Sequence, residues 1–454
     1  MVERKRAVVV YPAPENRKET RFGYSVECLT FATMLEQNGF DVRYFDFSVK
    51  PLDETTFIHL LGNLVPSRLF IYFDSVPLHR SSNVPNALCL CRAVKTAHRD
   101  LSVVACGPWC MINRERVPFV DNTWTDEPEL CLAESLDGRS NHSVSSKPRL
   151  LNSIESLPRP NRRLLPEIHE LEKSAFLAPS AVMQTTRGCR MGCRFCPRQA
   201  WNNQTIRHRK IADCVSELMD LTSAGIRNIW IDDDNMGGDQ EWACTLFDSV
   251  SDSLGEKRKK YGLYLSSDVN ASDRFFKKAH SAGVRIVSFG IESGSQKILD
   301  YYWKPSSPER IKAAVSAADR AGLFVVGNFI VGAPGENEED HQATRQLVEQ
   351  LPFDEINVKL LSIVQGSPLW REMVSVGRLS KECRCEFASQ SNGTSAIPFA
   401  ELKRRQQELY IAFYDNPRRK ERMMRKIEEQ GPPYFVTDSI DARRSSRTGG
   451  NSHE

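Results

Sequence analysis

Three times along this chain a helix-period pattern stops at Ala-Gly and an apolar stretch of strand length takes over: LTSAGIRNIWIDDD, AHSAGVRIVSFGIES and DRAGLFVVGNFIVG. Gly225, Gly283 and Gly322 stand where a helix C-cap takes the left-handed conformation that glycine adopts without penalty. In the first repeat Ile211, Val215, Leu218 and Met219 keep helical spacing before NIWI runs apolar. With LYLSSD and EINVKLLSIV added, the segment from about 180 to 365 predicts a barrel-like β/α succession of roughly six strands.

The first 135 or so residues also alternate. RAVVVYP, FDVRYFDF, SRLFIYFDSV and LSVVACGP read as buried parallel strands, with helices through CLTFATMLEQNG and ALCLCRAVKTAHR. This predicts a small Rossmann-like domain. YPAPENR stands where a GxGxxG would follow the first strand, which argues against a dinucleotide site. The resulting division is a Rossmann-like domain at 1–135, a polar linker rich in Ser, Asn, Arg and Pro at 136–175, a barrel at 176–370, a helical region at 371–432 with Leu409, Tyr410, Phe413 and Tyr414 on one face, and a disordered tail at 433–454. The fold class is α/β.

At 454 residues the chain exceeds what one core fills, and a net charge of +3 gives no nucleic-acid footprint. No run approaches the ~20 apolar residues of a membrane span, and the basic start has too short an apolar stretch for a signal peptide, which points to the cytoplasm. Thirteen cysteines in so long a chain are no disulfide framework. Cys28, Cys89, Cys91, Cys131, Cys214 and Cys244 sit in apolar patterns and read as buried small hydrophobes. Cys383 and Cys385 are too sparse for a cluster of their own.

GCRMGCRFCPRQ differs from all of these. Cys189, Cys193 and Cys196 follow the strand pattern SAVMQTT and precede a helix starting near Lys210. A structural zinc site wants four protein ligands, and no partner pair is visible. A cubane held by three thiolates keeps one iron open to an exogenous ligand. The Cys-x3-Cys-x2-Cys loop, with Phe195 before its last cysteine, resembles that of the radical S-adenosylmethionine (SAM) superfamily. IDDDNM, FGIESGS and FIVGAPGE follow in that family's order, and the whole is similar to the branch in which a cobalamin-binding-like domain precedes the barrel.

The resemblance implies a [4Fe-4S] cluster on Cys189, Cys193 and Cys196, SAM on its open iron, and a 5′-deoxyadenosyl radical that takes hydrogen from carbon. It puts Phe195 near the adenine and Asp233 on the SAM ammonium, with a register uncertain by one. It turns Glu292 toward SAM, sets Asn328 and Ile330 at the adenine edge, and makes a tight turn of Gly332, Pro334 and Gly335. Of the loop arginines, Arg187, Arg190, Arg194 and Arg198, one or two would neutralise the cluster and the SAM carboxylate. Asp232, Asp234 and Asp268 are candidate catalytic carboxylates, which would make a pocket suited to a polar or cationic small molecule. A flavodoxin- or ferredoxin-type reductant is the implied partner, without nucleic acid or membrane.

Cobalamin is the open question. No DxHxxG loop is present, although His79 lies after the third strand pattern, and in CGPWCMINRERV Cys106 replaces a glycine while Trp109 adds bulk. The leading expectation is therefore cobalamin-free dehydration, epimerisation or rearrangement, as in the aminoglycoside radical SAM diol dehydratases, in a natural-product pathway. The alternatives are a cobalamin-dependent radical SAM methyltransferase and a non-catalytic iron–sulfur or zinc module.

Overall fold

A computed structural model describes residues 5–15, 24–74, 82–139, 147–166, 180–200 and 204–431, the side chains of 258 and 259 apart. His79, the last part of the expected linker and the expected tail lie outside the described residues. The chain divides into two compact units: Met1–Asp234 with Val364–Ser375 and Lys381–Arg384, and Asn235–Ile363 with Val376–Ser380 and Cys385–Glu454.

The first unit opens with β1 (Arg6–Tyr11), α1 (Val26–Gln37), β2 (Asp41–Asp46), α2 (Glu54–Leu64), β3 (Arg68–Tyr72), α3 (Val84–Ala97), β4 (Val103–Cys106), α4 (Pro108–Asn113), β5 (Asn122–Thr123) and α5 (Pro128–Leu136). The strands form a five-stranded sheet, order β2-β1-β3-β4-β5, with every pair parallel. Among these strands the two-residue β5 was not expected from the sequence, and neither were the helices α2, α4 and α5. The apolar runs are buried on both sides: Val9, Leu29, Phe31 and Phe70 belong to one core, Val8, Phe57, Ile71 and Val94 to the other. Helix starts are fixed locally, by Ser25 accepting from Cys28 N and Asp53 from Thr56 N. Of the scattered cysteines named above, Cys89 is exposed on α3 while the others are buried, because the helix turns Cys91 inward and Cys89 outward.

Residues 147–166 are better anchored than a polar linker suggests. Ile154 and Leu165 are buried, Arg149 pairs with Asp126 (2.8 Å) and Glu134 (2.7 Å), and Arg162 reaches Tyr24, Val182 O and Glu217, each at 2.7 Å. The same unit continues through β6 (Ser180–Met183), β7 (Thr186–Arg187), β8 (Arg207–His208), α6 (Ile211–Ser223) and β9 (Asn228–Ile231). β6 and β9 are parallel, so their C-terminal ends lie side by side.

The second unit contains α7 (Gln240–Leu254), β10 (Gly262–Ser267), α8 (Asp273–Ser281), β11 (Val284–Glu292), α9 (Gln296–Tyr301), α10 (Pro308–Arg320), β12 (Phe324–Val331), α11 (Glu338–Gln350), β13 (Glu355–Leu360), α12 (Phe399–Tyr414) and α13 (Pro417–Gln430). β10 to β13 pair in sequence, all parallel. One face of this sheet packs on helices, as the edge contact of Phe289 with Phe276 of α8 shows. α12 covers the edge of β13, where Val358 N donates to Tyr410 Oη and Gln406 donates to Val358 O. Lys426 of α13 binds Leu323 O (2.6 Å) and the buried Asp354 (2.7 Å) at the other end of the strands. No described helix is long and apolar enough to cross a membrane.

Candidate active site

The cysteine loop leaves the end of β6 through Gly188, whose φ of 107° a side chain would resist. Gly188 N donates to Asp234 Oδ2 (3.0 Å), and Arg198 pairs with Asp234 Oδ1 (2.6 Å). The loop then closes on itself, with Met191 N on Cys189 Sγ (3.4 Å), Cys196 N on Cys193 O (3.1 Å) and Gln199 on Met191 O (2.8 Å). Burial pushes the Cys196 thiol up to about 12, helped by Cys193. Such a thiol stays protonated near neutrality unless a metal takes the proton's place.

Behind the loop stands a lattice of arginines and carboxylates. Arg187 is buried against Glu127 (3.0 Å), Glu129 (2.9 Å) and Gln184 (2.9 Å), while Arg207 takes the other Glu127 oxygen (2.7 Å). Arg194 pairs with Glu372, and its carbonyl accepts from Leu369 N (2.9 Å) in the helix Pro368–Ser375. Arg198 places its charge within the acidic triplet, on Asp234.

Asp232, Asp233 and Asp234, adjacent in sequence, have three different environments. Asp233 is buried, and its carboxylate accepts from Thr185 N (2.7 Å), Thr186 N (2.9 Å) and Thr185 Oγ1, so it fastens the end of β9 to the chain leaving β6. Burial raises its pKa to about 6 against those donors. Burial also raises Asp234, opposed by the Arg198 guanidinium. Asp232 is half-buried, its backbone N on Met183 O (2.8 Å). Phe195 is half-buried within the loop.

The remaining expected residues lie at the C-terminal ends of strands in the second unit, where β/α folds build sites. Asp268, just past β10, is buried; it accepts from Asn235 Nδ2 (2.7 Å) and Asn270 N (2.7 Å). Glu292 ends β11 with φ 64°, after a register shift beginning at Gly290, and its Oε1 takes the ammonium of Lys304 at 2.9 Å. Asn328 is tied across three strands: it donates to Ser288 Oγ (2.8 Å) and Phe289 O (2.9 Å) and accepts from Asn357 Nδ2 (3.1 Å). Ile330 is half-buried on the same face. Gly332 (φ 104°) and Gly335 (φ 82°) bracket Pro334 in the tight turn, and Glu336 folds back to accept from Gly332 N (2.7 Å). A Cβ on Gly332 would lie 2.9 Å from Leu402, so helix packing already demands this glycine. Lys304, Asn235 and Asn357 were not anticipated. Their partners are distant in sequence or sit on other strands, and only the polar alternation of EINVKL marks Asn357.

Residues 183–348 match the family model described as the radical SAM superfamily. The chain carries a radical SAM domain. An uncharacterised methyltransferase of Pyrococcus horikoshii is 27% identical over 323 residues, covering 65% of this chain and 68% of the relative. The cytidylyl-2-hydroxyethylphosphonate methyltransferase of Streptomyces wedmorensis is 28% identical over 293 residues, 60% of this chain and 53% of its own length. Among solved structures, the radical SAM methyltransferase TsrM of Kitasatospora setae, with cobalamin and a [4Fe-4S] cluster bound, superposes with TM-score 0.66 at 15% identity, over 82% of this chain and 75% of that one. The cobalamin-dependent radical SAM enzyme OxsB, with aqua-cobalamin and SAM, gives 0.69 at 16%, over 97% and 75%. At these identities the shared property is the α/β fold.

A radical SAM domain implies a [4Fe-4S] cluster and SAM, and the residues fit. Among the described residues, no three Cys, His, Asp or Glu side chains converge on a point where one metal ion could sit. Three cysteines on one loop without a fourth protein ligand are the donor set of a cluster that keeps one iron open.

Proposed function

We propose that this radical SAM protein is a cobalamin-dependent methyltransferase acting on a small molecule. The observation that carries the reading is the five-stranded sheet of order β2-β1-β3-β4-β5 preceding the three-cysteine loop, a fold shared along 82% of the chain with the cobalamin-bound methyltransferase structure. In sheets of this order ligands bind where strand order reverses, here beyond the C-terminal ends of β1 and β3. The names of two relatives favour methyl transfer over the dehydration, epimerisation or rearrangement expected first.

When bound, a reduced [4Fe-4S] cluster would supply the electron for cleavage of a C–S bond of SAM. The chain's part is to hold and orient. Cys189, Cys193 and Cys196 take the cluster, and Arg198 offsets negative charge beside it. Asp233 accepts from Thr185 and Thr186, and the SAM ammonium is assigned to the acidic triplet at Asp232 or Asp233, the register that the resemblance leaves uncertain by one. Phe195 is assigned to the adenine. Glu292, with one oxygen on Lys304, is the candidate of the second unit for a contact with SAM.

One observation favours the cobalamin-free reading. Trp109 is buried and stacked on Phe73 (5.4 Å, 22°), its indole N–H on Gln365 (3.0 Å), and Cys106 is fully buried, so side chains fill space at the ends of β3 and β4. Anaerobic reconstitution with iron, sulfide, hydroxocobalamin and SAM, followed by dithionite, separates the two. Methyl transfer requires corrin absorbance that survives desalting, and S-adenosylhomocysteine among the products. Cleavage of SAM to 5′-deoxyadenosine without retained corrin overturns it in favour of the second reading. No cleavage at all leaves the non-catalytic module.

A further inference from the structure

The sheet of the second unit has two unlike faces. Phe289 and the residues alternating with it pack on helices, whereas Ser266, Ser288, Gly290, Asn328, Ile330, Glu355, Asn357 and Lys359 are half-buried or exposed, Glu355 at the start of β13 being held by Tyr414 (2.9 Å) and Arg419 (3.8 Å). In β13 the alternation is plain: Ile356, Val358 and Leu360 are buried, Asn357 and Lys359 exposed. Asn357 donates to Asn328, which fixes the face, and Lys359, two residues on, shares it. Lys359 stands opposite Ile330 near the C-terminal end of the strands.

The charges on this face do not cancel. Glu292 is neutralised by Lys304, and a Cβ on Gly290 would lie 2.6 Å from Glu292 Oε1 and 2.9 Å from Lys304 Nζ, so this pair rests directly on the open face. Asp268 is buried, both oxygens holding N–H groups of Asn235 and Asn270. Lys359 makes no hydrogen bond or ion pair with any described residue. A solvated lysine on an outer surface is commonplace. One beside a hydrogen-bonded Ser-Asn-Asn ladder on the uncovered face of a β/α sheet is a ligand-reading charge. That lattice of neutral amides and one ammonium suits a polar, negatively charged molecule, not the cationic one that the run of aspartates suggested.

We infer that Lys359 is a specificity-determining residue, and that the substrate carries an anionic oxyacid group, a phosphate, phosphonate or carboxylate, which its ammonium contacts while Asn357 and Asn328 face the neighbouring polar atoms. The inference rests on the reading of this chain as a radical SAM enzyme of small molecules. Its test does not need SAM cleavage, so the two fail separately.

The full chain with its cluster is treated anaerobically with limiting acetic anhydride, and labelling of Lys359 is compared with that of the exposed Lys277 by peptide mass spectrometry. Millimolar inorganic phosphate, methylphosphonate or acetate should protect Lys359 about fivefold, the scale set by occupancy at several times Kd, and leave Lys277 unchanged. Phosphate against acetate distinguishes the two kinds of anion. Phosphorus NMR broadening of inorganic phosphate should disappear in Lys359→Gln and persist in Lys359→Arg. No protection, equal protection by methylammonium or ethylene glycol, or unchanged broadening in Lys359→Gln overturns the inference.

Discussion

Lys304 and Glu292 form a buried ion pair, Nζ to Oε1 2.9 Å, at a backbone position where a non-glycine residue holds φ 64°. That conformation is rare for a glutamate and persists only where its surroundings enforce it. Here the register shift at the end of β11 and the lysine together aim the carboxylate over Gly290.

Removing the ammonium should therefore cost more than a surface lysine would. Lys304→Met leaves a carboxylate buried and unpaired, which typically costs about 3–5 kcal/mol. Urea denaturation of the anaerobic protein measures it, and a loss below about 1 kcal/mol would mean that the pair is solvated and idle. Gly290→Ala is the milder probe. Its Cβ would lie 2.6 Å from Glu292 Oε1 and 2.9 Å from Lys304 Nζ, so the pair must shift without being lost: SAM cleavage should fall, and stability should drop by less than the about 3–5 kcal/mol of removing the ammonium.

Asp233 makes stability depend on pH in an unusual direction. Its folded pKa, about 6, lies above the ordinary 3.8, so the native state holds the proton more tightly than the unfolded chain. The stability this group contributes is fully present below about pH 4 and is lost as pH rises through about 6. Relative to Asp233→Asn, the wild type should gain up to about 3 kcal/mol between pH 7 and pH 4, roughly two pKa units of linkage. Matched urea midpoints at the two pH values check this. A flat difference would show that the Thr185 and Thr186 donors cancel burial, and a reversed one that they outweigh it.

What could be read from the sequence was what backbone geometry writes into it. Gly225, Gly283 and Gly322 mark helix ends, and all three have φ near 90°, a conformation that selects glycine whatever the context. The cysteine loop was legible for the same reason, since its chemistry needs particular residues at fixed spacing. The roles of Asp232, Asp233 and Asp234 were not. Three identical neighbours are distinguished only by the pleat and by partners far away in the chain, Thr185 for one and Gly188 with Arg198 for another. Glu292 was legible as a candidate but its φ was not, because the strain is imposed by packing. Lys359 could have been found: EINVKL alternates polar and apolar at period two beside the mostly apolar pattern FVVGNFIV, and that alternation marks an uncovered face.

The cysteines carry the last expectation. Cys189, Cys193 and Cys196 share one loop, and burial pushes the Cys196 thiol up to about 12, so its proton leaves when a metal takes its place. Replacing any one with serine should remove the cluster's visible absorbance and bring SAM cleavage below detection, because two thiolates cannot hold a cubane in a fixed place. The distinguishing measurement is metal analysis of the oxygen-free protein. Iron near four per chain with little zinc is expected in the wild type, as a cubane requires. The serine variants should lose iron without gaining zinc. The sheet of the first unit should survive, since its cores draw on Val8, Phe31, Phe57 and Phe70 and on none of the three cysteines. Stoichiometric zinc in the wild type, retained through a single serine replacement, would refute the cluster assignment.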